Sequence, residues 1–402
     1  MHISLDSAIG QQRRLNQVGE TINSIAAPAA AYSLRSLTGG DPKVVRVRRE
    51  GDNGEQDFTV SEINSGALVD YINTNGVFQN TGYESFSNAS ASGFTASNTG
   101  STGFAVSDLP DGTSGTAISV SFDISITNGS PKLMLRTALD GGSSASNSVN
   151  YTSSGSKTAT LTATGSYAGV GFTEGDAPSN FTVSNFKILG DGFVETWYDQ
   201  SGNGRDSTQT TAARQPIIVE SGTFQDGLKF THTDTTNGKR MYVPRNTSEL
   251  GTEFALVWVG KITQSESGNR TLLGGIRNVQ GYNVGSVGIT NIASSQSIRF
   301  TNEKTTTSQQ NTDIISSSYT INEDFVAFAN YDDDAVTVSV DDTVQTSTFS
   351  STVLTSTADL RIMAGQFASG ATGGIYRTQE SPTGICKEVL VYDTNQSDNR
   401  PA

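Results

Sequence analysis

Nine residues, Ile118-Ser119-Val120-Ser121-Phe122-Asp123-Ile124-Ser125-Ile126, alternate strictly between apolar and polar side chains. A period of two places the apolar set on one face of an extended strand, whereas a helix would scatter it around the axis. A strand with one apolar face needs a second layer to cover it. Comparable segments follow in Ser/Thr/Gly-rich sequence: Leu133 with Leu135, Thr158 to Thr162, Tyr167 to Phe172 and Phe181 to Ile188. Strands at this spacing, joined by polar turns, predict an antiparallel β-sandwich between residues 77 and 190.

The flanking sequence is also strand-rich. Phe254 to Val259, around Trp258, is continuously apolar and predicts a strand buried on both faces. Phe325 to Ala329 reads the same way, Val336, Val338 and Val340 alternate, and Lys387 to Tyr392 is the last strand. Ala31 to Arg35 and Val44 to Arg49 predict two early strands around the turn Gly39-Gly40-Asp41-Pro42. Arg46 and Arg48 share one strand face, with Val45 and Val47 on the other. Asp52, Glu55 and Asp57 are near enough to pair with these arginines, so a salt-bridged face is expected rather than an anion site. Ser61 to Ile72 predicts a short helix with Ser61 as N-cap.

Residues 1–30 differ. Leu15, Val18, Ile22 and Ile25 recur at helical spacing, and the stretch around Pro28 ends the pattern. An amphipathic helix is expected there. It either packs on its own domain or serves as a docking and oligomerisation peptide.

Composition removes several function classes. The 402-residue chain carries a net charge of -14, which argues against gripping nucleic acid or an anionic membrane. No apolar stretch is long enough to span a bilayer, and Met1 to Ile25 lacks the apolar region of a signal peptide. Cys386 is the single cysteine, so no internal disulfide forms, and its apolar surroundings predict a buried thiol. His2 and His232 are the two histidines, which leaves no His-based metal site or catalytic triad.

The run Thr196-Trp197-Tyr198-Asp199-Gln200-Ser201-Gly202-Asn203-Gly204, with Tyr32 to Arg35 and Val45 to Asp57 upstream, resembles a family common in phage genomes. That family carries a concanavalin A-like, laminin-G-like lectin sandwich, and the scaffold is also similar to the N-terminal sandwich of fungal arabinofuranosidases. Tyr331 to Asp342 is similar to the laminin-G hairpin, and Glu388 to Asp393 to its closing strand. The start, Ile3 to Glu20, resembles the leader of phage structural proteins. The resemblance implies an all-β chain in three parts: an N-terminal helical attachment segment, 1–30; a lectin sandwich, 31–76 and 191–402; and an inserted carbohydrate-binding-module-like jelly roll, 77–190.

Within this frame, Asp199 reads as a turn residue capping local N–H groups rather than a catalytic or calcium-binding carboxylate. Gly202 and Gly204 supply positive φ in that turn, and Trp197 and Tyr198 pack beneath it. Calcium has weak candidates in Asp332, Asp333, Asp334, Asp341 and Asp342, where hard oxygen ligands cluster; a solvated hairpin turn is the alternative. No catalytic pair is placeable, so the chain is expected not to be an enzyme. The expected protein is a virion component, a tail fibre, tail adhesin or head decoration. It is made in the host cytoplasm and held to other virion proteins through residues 1–30. It forms homo-oligomers, with a trimer favoured, and presents a host-surface glycan site at sandwich rims. A purely structural capsid or tail component is the alternative, followed by a polysaccharide-degrading enzyme.

Overall fold

In the computed structural model of the chain, the described residues run from 27 to 396, except 91, 100–102, 141, 176–177, 232–237, 247–248, 265–268, 280–281, 293–294, 305–309, 333–334, 342, 349–358, 364–366, 369–375 and 378–381. The architecture is all-β sandwich. The expected N-terminal helix, with Leu15, Val18, Ile22 and Ile25, lies outside the described residues.

The alternating segment forms the strand Ala117–Asn128. Val120, Phe122 and Ile124 point into a core and the intervening residues do not. This strand is central in a sheet between Gly155–Thr162 and Ser179–Leu189. A second sheet, ordered Val149–Asn150, Lys132–Arg136, Tyr167–Thr173, Phe104–Gly112 and Phe78–Thr81, covers it. Between the sheets sit Phe78, Phe94, Phe122, Phe172, Phe181 and Phe186, with edge-on contacts such as Phe122–Phe172 at 5.0 Å between centroids. Each buried ring contributes about 1.5–3 kcal/mol by leaving water.

The remaining strands enclose a separate core. Gly384–Tyr392 pairs along its length with Glu253–Ile262, which pairs with Phe325–Asp332, then Ala335–Val340, then Thr343–Thr348. The other edge of Gly384–Tyr392 takes Ala30–Ser33 at one end and Thr223–Phe230 at the other. From there the ladder passes through Ile217–Glu220 to Gly192–Trp197, which pairs with Lys43–Arg49. It continues through Ser207–Thr208, Met241–Asn246, Asp359–Ile362, Asn269–Val279 and Tyr282–Ile292. Trp197, Trp258, Phe58, Phe230, Phe254 and Phe300 are buried inside. The apolar run around Trp258 is buried on both faces: Phe254, Leu256 and Trp258 face this core. Ala255 and Val257 join a second cluster with Phe328, Leu390 and Tyr392.

The two cores meet where the chain leaves one sandwich and returns. Thr74–Asn75 pairs with Lys187 and Ile188, and the Asn73 side-chain carbonyl accepts from Gly190 N at 3.2 Å. Lys187 and Asp70 form an ion pair beside this junction.

The predicted helix from Ser61 is corrected. Two short helices, Val60–Asn64 and Ala67–Ile72, replace it, and the N-cap is Thr59. Thr59 and Glu62 form a reciprocal capping box, while Ser61 is drawn to the Asp41 carboxylate. The break falls at Ser65 and Gly66, where Gly66 has φ 86°. On the strand Lys43–Arg49, Val45 and Val47 are buried while Arg46 pairs with Asp57 and Arg49 with Asp52.

Candidate functional site

The Trp197–Gly204 run closes the strand Gly192–Trp197 and turns back over the N-terminal strand. Trp197 is fully buried, 5.7 Å from the Tyr32 ring, and Tyr198 Oη donates to Asp57 Oδ1 at 2.7 Å. Asp199 Oδ1 accepts from Ala31 N and Ser201 N, and its Oδ2 accepts from Ser201 Oγ and Arg205 N. Gln200 Nε2 donates to Ser33 O and Arg35 O, and its Oε1 accepts from Leu37 N. Asn203 Nδ2 donates to Pro28 O and Ala29 O. Gly202 and Gly204, at φ 86° and 66°, give the left-handed backbone the turn needs. These side chains spend their hydrogen bonds on the chain itself. The run is a clamp on residues 28–37.

The calcium candidates are not brought together. Asp332 and Asp341 lie at opposite ends of the strand Ala335–Val340. Asp332 Oδ2 accepts from Asn395, and Asp341 Oδ1 from Val326 N. Asp333, Asp334 and Asp342 lie outside the described residues. Among the described residues no group of three or more His, Cys, Asp or Glu side chains is placed to hold a metal.

A different constellation arises from strand register. Met241, Val243, Leu360, Ile362, Leu273 and Ile289 face the core. Alternation therefore turns the residues between them outward. Register aligns Thr208 with Tyr242, Tyr242 with Arg361, Arg361 with Gly274 and Gly274 with Gly288. The outer face thus carries an aromatic ring, then a guanidinium, then two positions with no side chain. Both glycines are buried, and Gly288 is required by the close approach of the neighbouring strand: a Cβ there would sit 2.4 Å from Leu273 O.

Two more arginines join this row. Arg240 Nε donates to Tyr242 Oη at 3.0 Å, and the Tyr242 ring lies 5.3 Å from Arg361 Cζ and 6.0 Å from Arg240 Cζ. Arg214, at the end of the 3-10 turn Ala212–Arg214, accepts through its carbonyl from Arg240 N at 3.0 Å. A relay of amides sets the backbone: Arg48 Nε donates to Gln215 Oε1, Gln215 Nε2 to Gln209 O, and Gln209 Nε2 to Arg240 O. Further along the same face, Arg48 and Lys239 both lie 4.8 Å from the Phe193 centroid. Burial holds the Arg361 guanidinium below its ordinary value, helped by the Arg240 and Arg214 charges and opposed by Tyr242 and by Asp359, two residues along the same strand. Burial and Arg48 likewise lower Lys239, while burial and the neighbouring Asp191 raise Glu50. Aromatic surface, planar donors and a nearby carboxyl with raised pKa are the components of a polar-ligand site.

The equivalent outer face of the other sandwich is occupied by its own chain. Met134 and Arg136 point outward from their strand yet are nearly buried. The Arg136 guanidinium donates to Gly142 O and lies 4.1 Å from the Phe104 ring. Leu139 closes over Gly169, 3.1 Å from where a Cβ would stand.

Sequence reading singled out none of Arg214, Arg240, Tyr242 and Arg361. The readable signal was a single polar residue between core residues, in Met241-Tyr242-Val243 and Leu360-Arg361-Ile362. Their meeting depends on pairing between distant strands.

No family model matches the chain. No curated protein matches it in sequence. Similar solved structures include a Trypanosoma rangeli sialidase in complex with 2,3-difluoro-KDN, at 16% identity and TM-score 0.33, over 50% of this chain and 29% of that one. The same sialidase with sialic acid gives 16% identity and TM-score 0.35, over 51% and 30%. A Ruminococcus gnavus IT-sialidase CBM40 bound to α2,6 sialyllactose gives 13% identity and TM-score 0.30, over 39% and 84%. The expectation that the chain is not an enzyme is corrected by these comparisons: the sialidases among them are enzymes, and the exclusion is withdrawn. The likeness itself is one of β-sandwich fold, spans under a third of each sialidase, and assigns this chain no activity or substrate.

Proposed function

We propose that this chain is a carbohydrate-binding protein of a phage particle, held to the virion by residues 1–30 and binding host-surface glycan on the outer face around Tyr242. The observation that carries the binding site is the alignment of Tyr242 with Arg361 on one outward row, with Arg240 hydrogen-bonded to the Tyr242 hydroxyl. Saccharides are recognised by aromatic surface together with planar polar groups that bridge neighbouring hydroxyls. The virion assignment is supported by the resemblance of residues 3–20 and of the Trp197–Gly204 run to phage structural proteins. Homo-oligomers would multiply a weak site by avidity.

A glycan array probed with the native chain and with Tyr242→Ala tests the binding site. Loss of about tenfold or more in signal for the variant, with an unchanged circular dichroism spectrum, is expected. Equal binding by both proteins overturns the placement. The same array hits, incubated with native protein and assayed for released sugar, determine whether cleavage accompanies binding. Deletion of residues 1–30 is expected to abolish incorporation into particles; unchanged incorporation overturns the attachment.

A further inference from the structure

The chain has 40 acidic and 26 basic residues, so a cation here has acids in excess to pair with. Several of the described basic side chains do pair. Arg35 holds Glu388 through two hydrogen bonds, Arg46 and Lys43 share Asp57, and Arg245 takes Glu249 and Asp393. Arg214, Arg240 and Arg361 make no ion pair with any described residue. Arg240 is only 4% exposed, and the Nε of Arg214 is buried with no hydrogen-bond partner. The three are held near one another by pairing and main-chain hydrogen bonds. Asp359, two residues along the strand, offsets part of the charge at Arg361 and makes no ion pair with it; bringing like charges together and withdrawing them from water is unfavourable unless further opposite charge is supplied.

We propose that Arg214, Arg240 and Arg361 bind the oxyanion of an acidic saccharide, a carboxylate or sulfate ester. The inference rests on the glycan-binding reading of the same face and adds the charge of the ligand. Guanidinium forks match the paired oxygens of either oxyanion, and a partly buried site strengthens each contact. The negative net charge of the whole chain repels polyanions elsewhere, which confines their binding to this face.

The test compares dextran, dextran sulfate and polygalacturonate as immobilised probes against the native chain, Arg361→Gln, Arg361→Lys, Arg214→Gln and Tyr242→Ala. At least one acidic polymer is expected to bind about tenfold or more tighter than dextran. Arg361→Gln and Arg214→Gln should remove that advantage, weakening acidic-polymer binding by more than they weaken any dextran binding. Arg361→Lys should recover only part of it, because a point charge lacks the fork. Thermal unfolding of each variant separates lost binding from lost fold; a variant that fails to fold is replaced by its Lys counterpart. Equal affinity for charged and neutral polymers, or acidic binding untouched by both Gln variants, overturns the inference. If neutral polymer binds and Tyr242→Ala abolishes it, the glycan reading survives that failure. If sodium sulfate alone displaces the acidic polymers at matched ionic strength and no neutral glycan on the array depends on Tyr242, the anion site stands and the saccharide reading falls.

Discussion

The side-chain carbonyl of Asn73 accepts a hydrogen bond from the backbone N–H of Gly190, joining positions 117 residues apart. The chain therefore leaves and re-enters the outer sandwich at nearly one point, with separate buried cores on either side.

Excision should follow that seam. Replacing residues 75–189 by a Gly-Ser link is expected to leave a chain that unfolds cooperatively, monitored by circular dichroism on heating. Loss of a cooperative transition would mean that the two cores are one. The single change Asn73→Ala should cost about 1 kcal/mol, the scale of one hydrogen bond, read from the urea midpoint.

Asp199 is the centre of the clamp on residues 28–37. Its carboxylate accepts from two backbone N–H groups of its own turn, from Ser201 Oγ and from Ala31 N. Asp199→Ala leaves those donors unmatched in a part-buried setting and is expected to destabilise by about 3 kcal/mol. Denaturant unfolding measures it; a change below about 0.5 kcal/mol, typical of open surface sites, would show that the clamp carries no stability.

Alkaline pH should weaken the fold through buried phenols. Burial raises Tyr151, Tyr198 and Tyr392 to about 12, with Asp57 adding to the effect at Tyr198. A folded value above the unfolded one of about 10 favours the protonated form in the fold. The stabilisation is complete below about pH 10 and declines as pH rises through about 12. Absorbance at 295 nm should show a class of tyrosines ionising only as the chain unfolds. A single titration near pH 10 would contradict the burial of these rings.

Acid acts through opposite shifts of smaller consequence. Hydrogen bonds from Arg46 and Arg49 hold Asp57 and Asp52 below the usual carboxylate range. Their contribution is present above about pH 4 and is lost as pH falls through the folded values. Asp52 is largely solvated, so Asp52→Asn at pH 7 should cost under about 1 kcal/mol, read from the urea midpoint.

The Cys386 thiol should be silent in the native state. It is fully buried, and desolvation raises it well above the ordinary thiol value. A disulfide exchange reagent at pH 8 is expected to modify it only at the rate of unfolding. Rapid labelling of folded protein would show that the strand Gly384–Tyr392 opens locally.

The parts of this fold that were legible in the sequence are those where neighbours in the chain decide the outcome. Ile118 to Ile126 announced its strand because alternation is local, and Trp258 announced a two-faced strand because the run around it has no polar gap. The capping box was equally local, in Thr59-Val60-Ser61-Glu62, but Ser61 drew attention as the more common kind of cap. Arg214, Arg240 and Arg361 were not legible, because they come from three segments distant in sequence. The register of Met241–Asn246 against Asp359–Ile362 and the Arg240 N–H bond to Arg214 O make them neighbours, and register is a property of the whole sheet.

The clamp also has a mechanical meaning. Ala30–Ser33 runs antiparallel to Gly384–Tyr392, with Ala30 opposite Val391. Tension arriving along the chain from the N-terminal side would peel such a strand one rung at a time, the weakest way to break a ladder. Asn203 and Ser201 grip the carbonyls of Pro28 and Ala29, and Asp199 grips Ala31 N. A pull from that side therefore meets several bonds at once before the first rung is strained. The turn acts as a strain relief where the chain enters the sandwich.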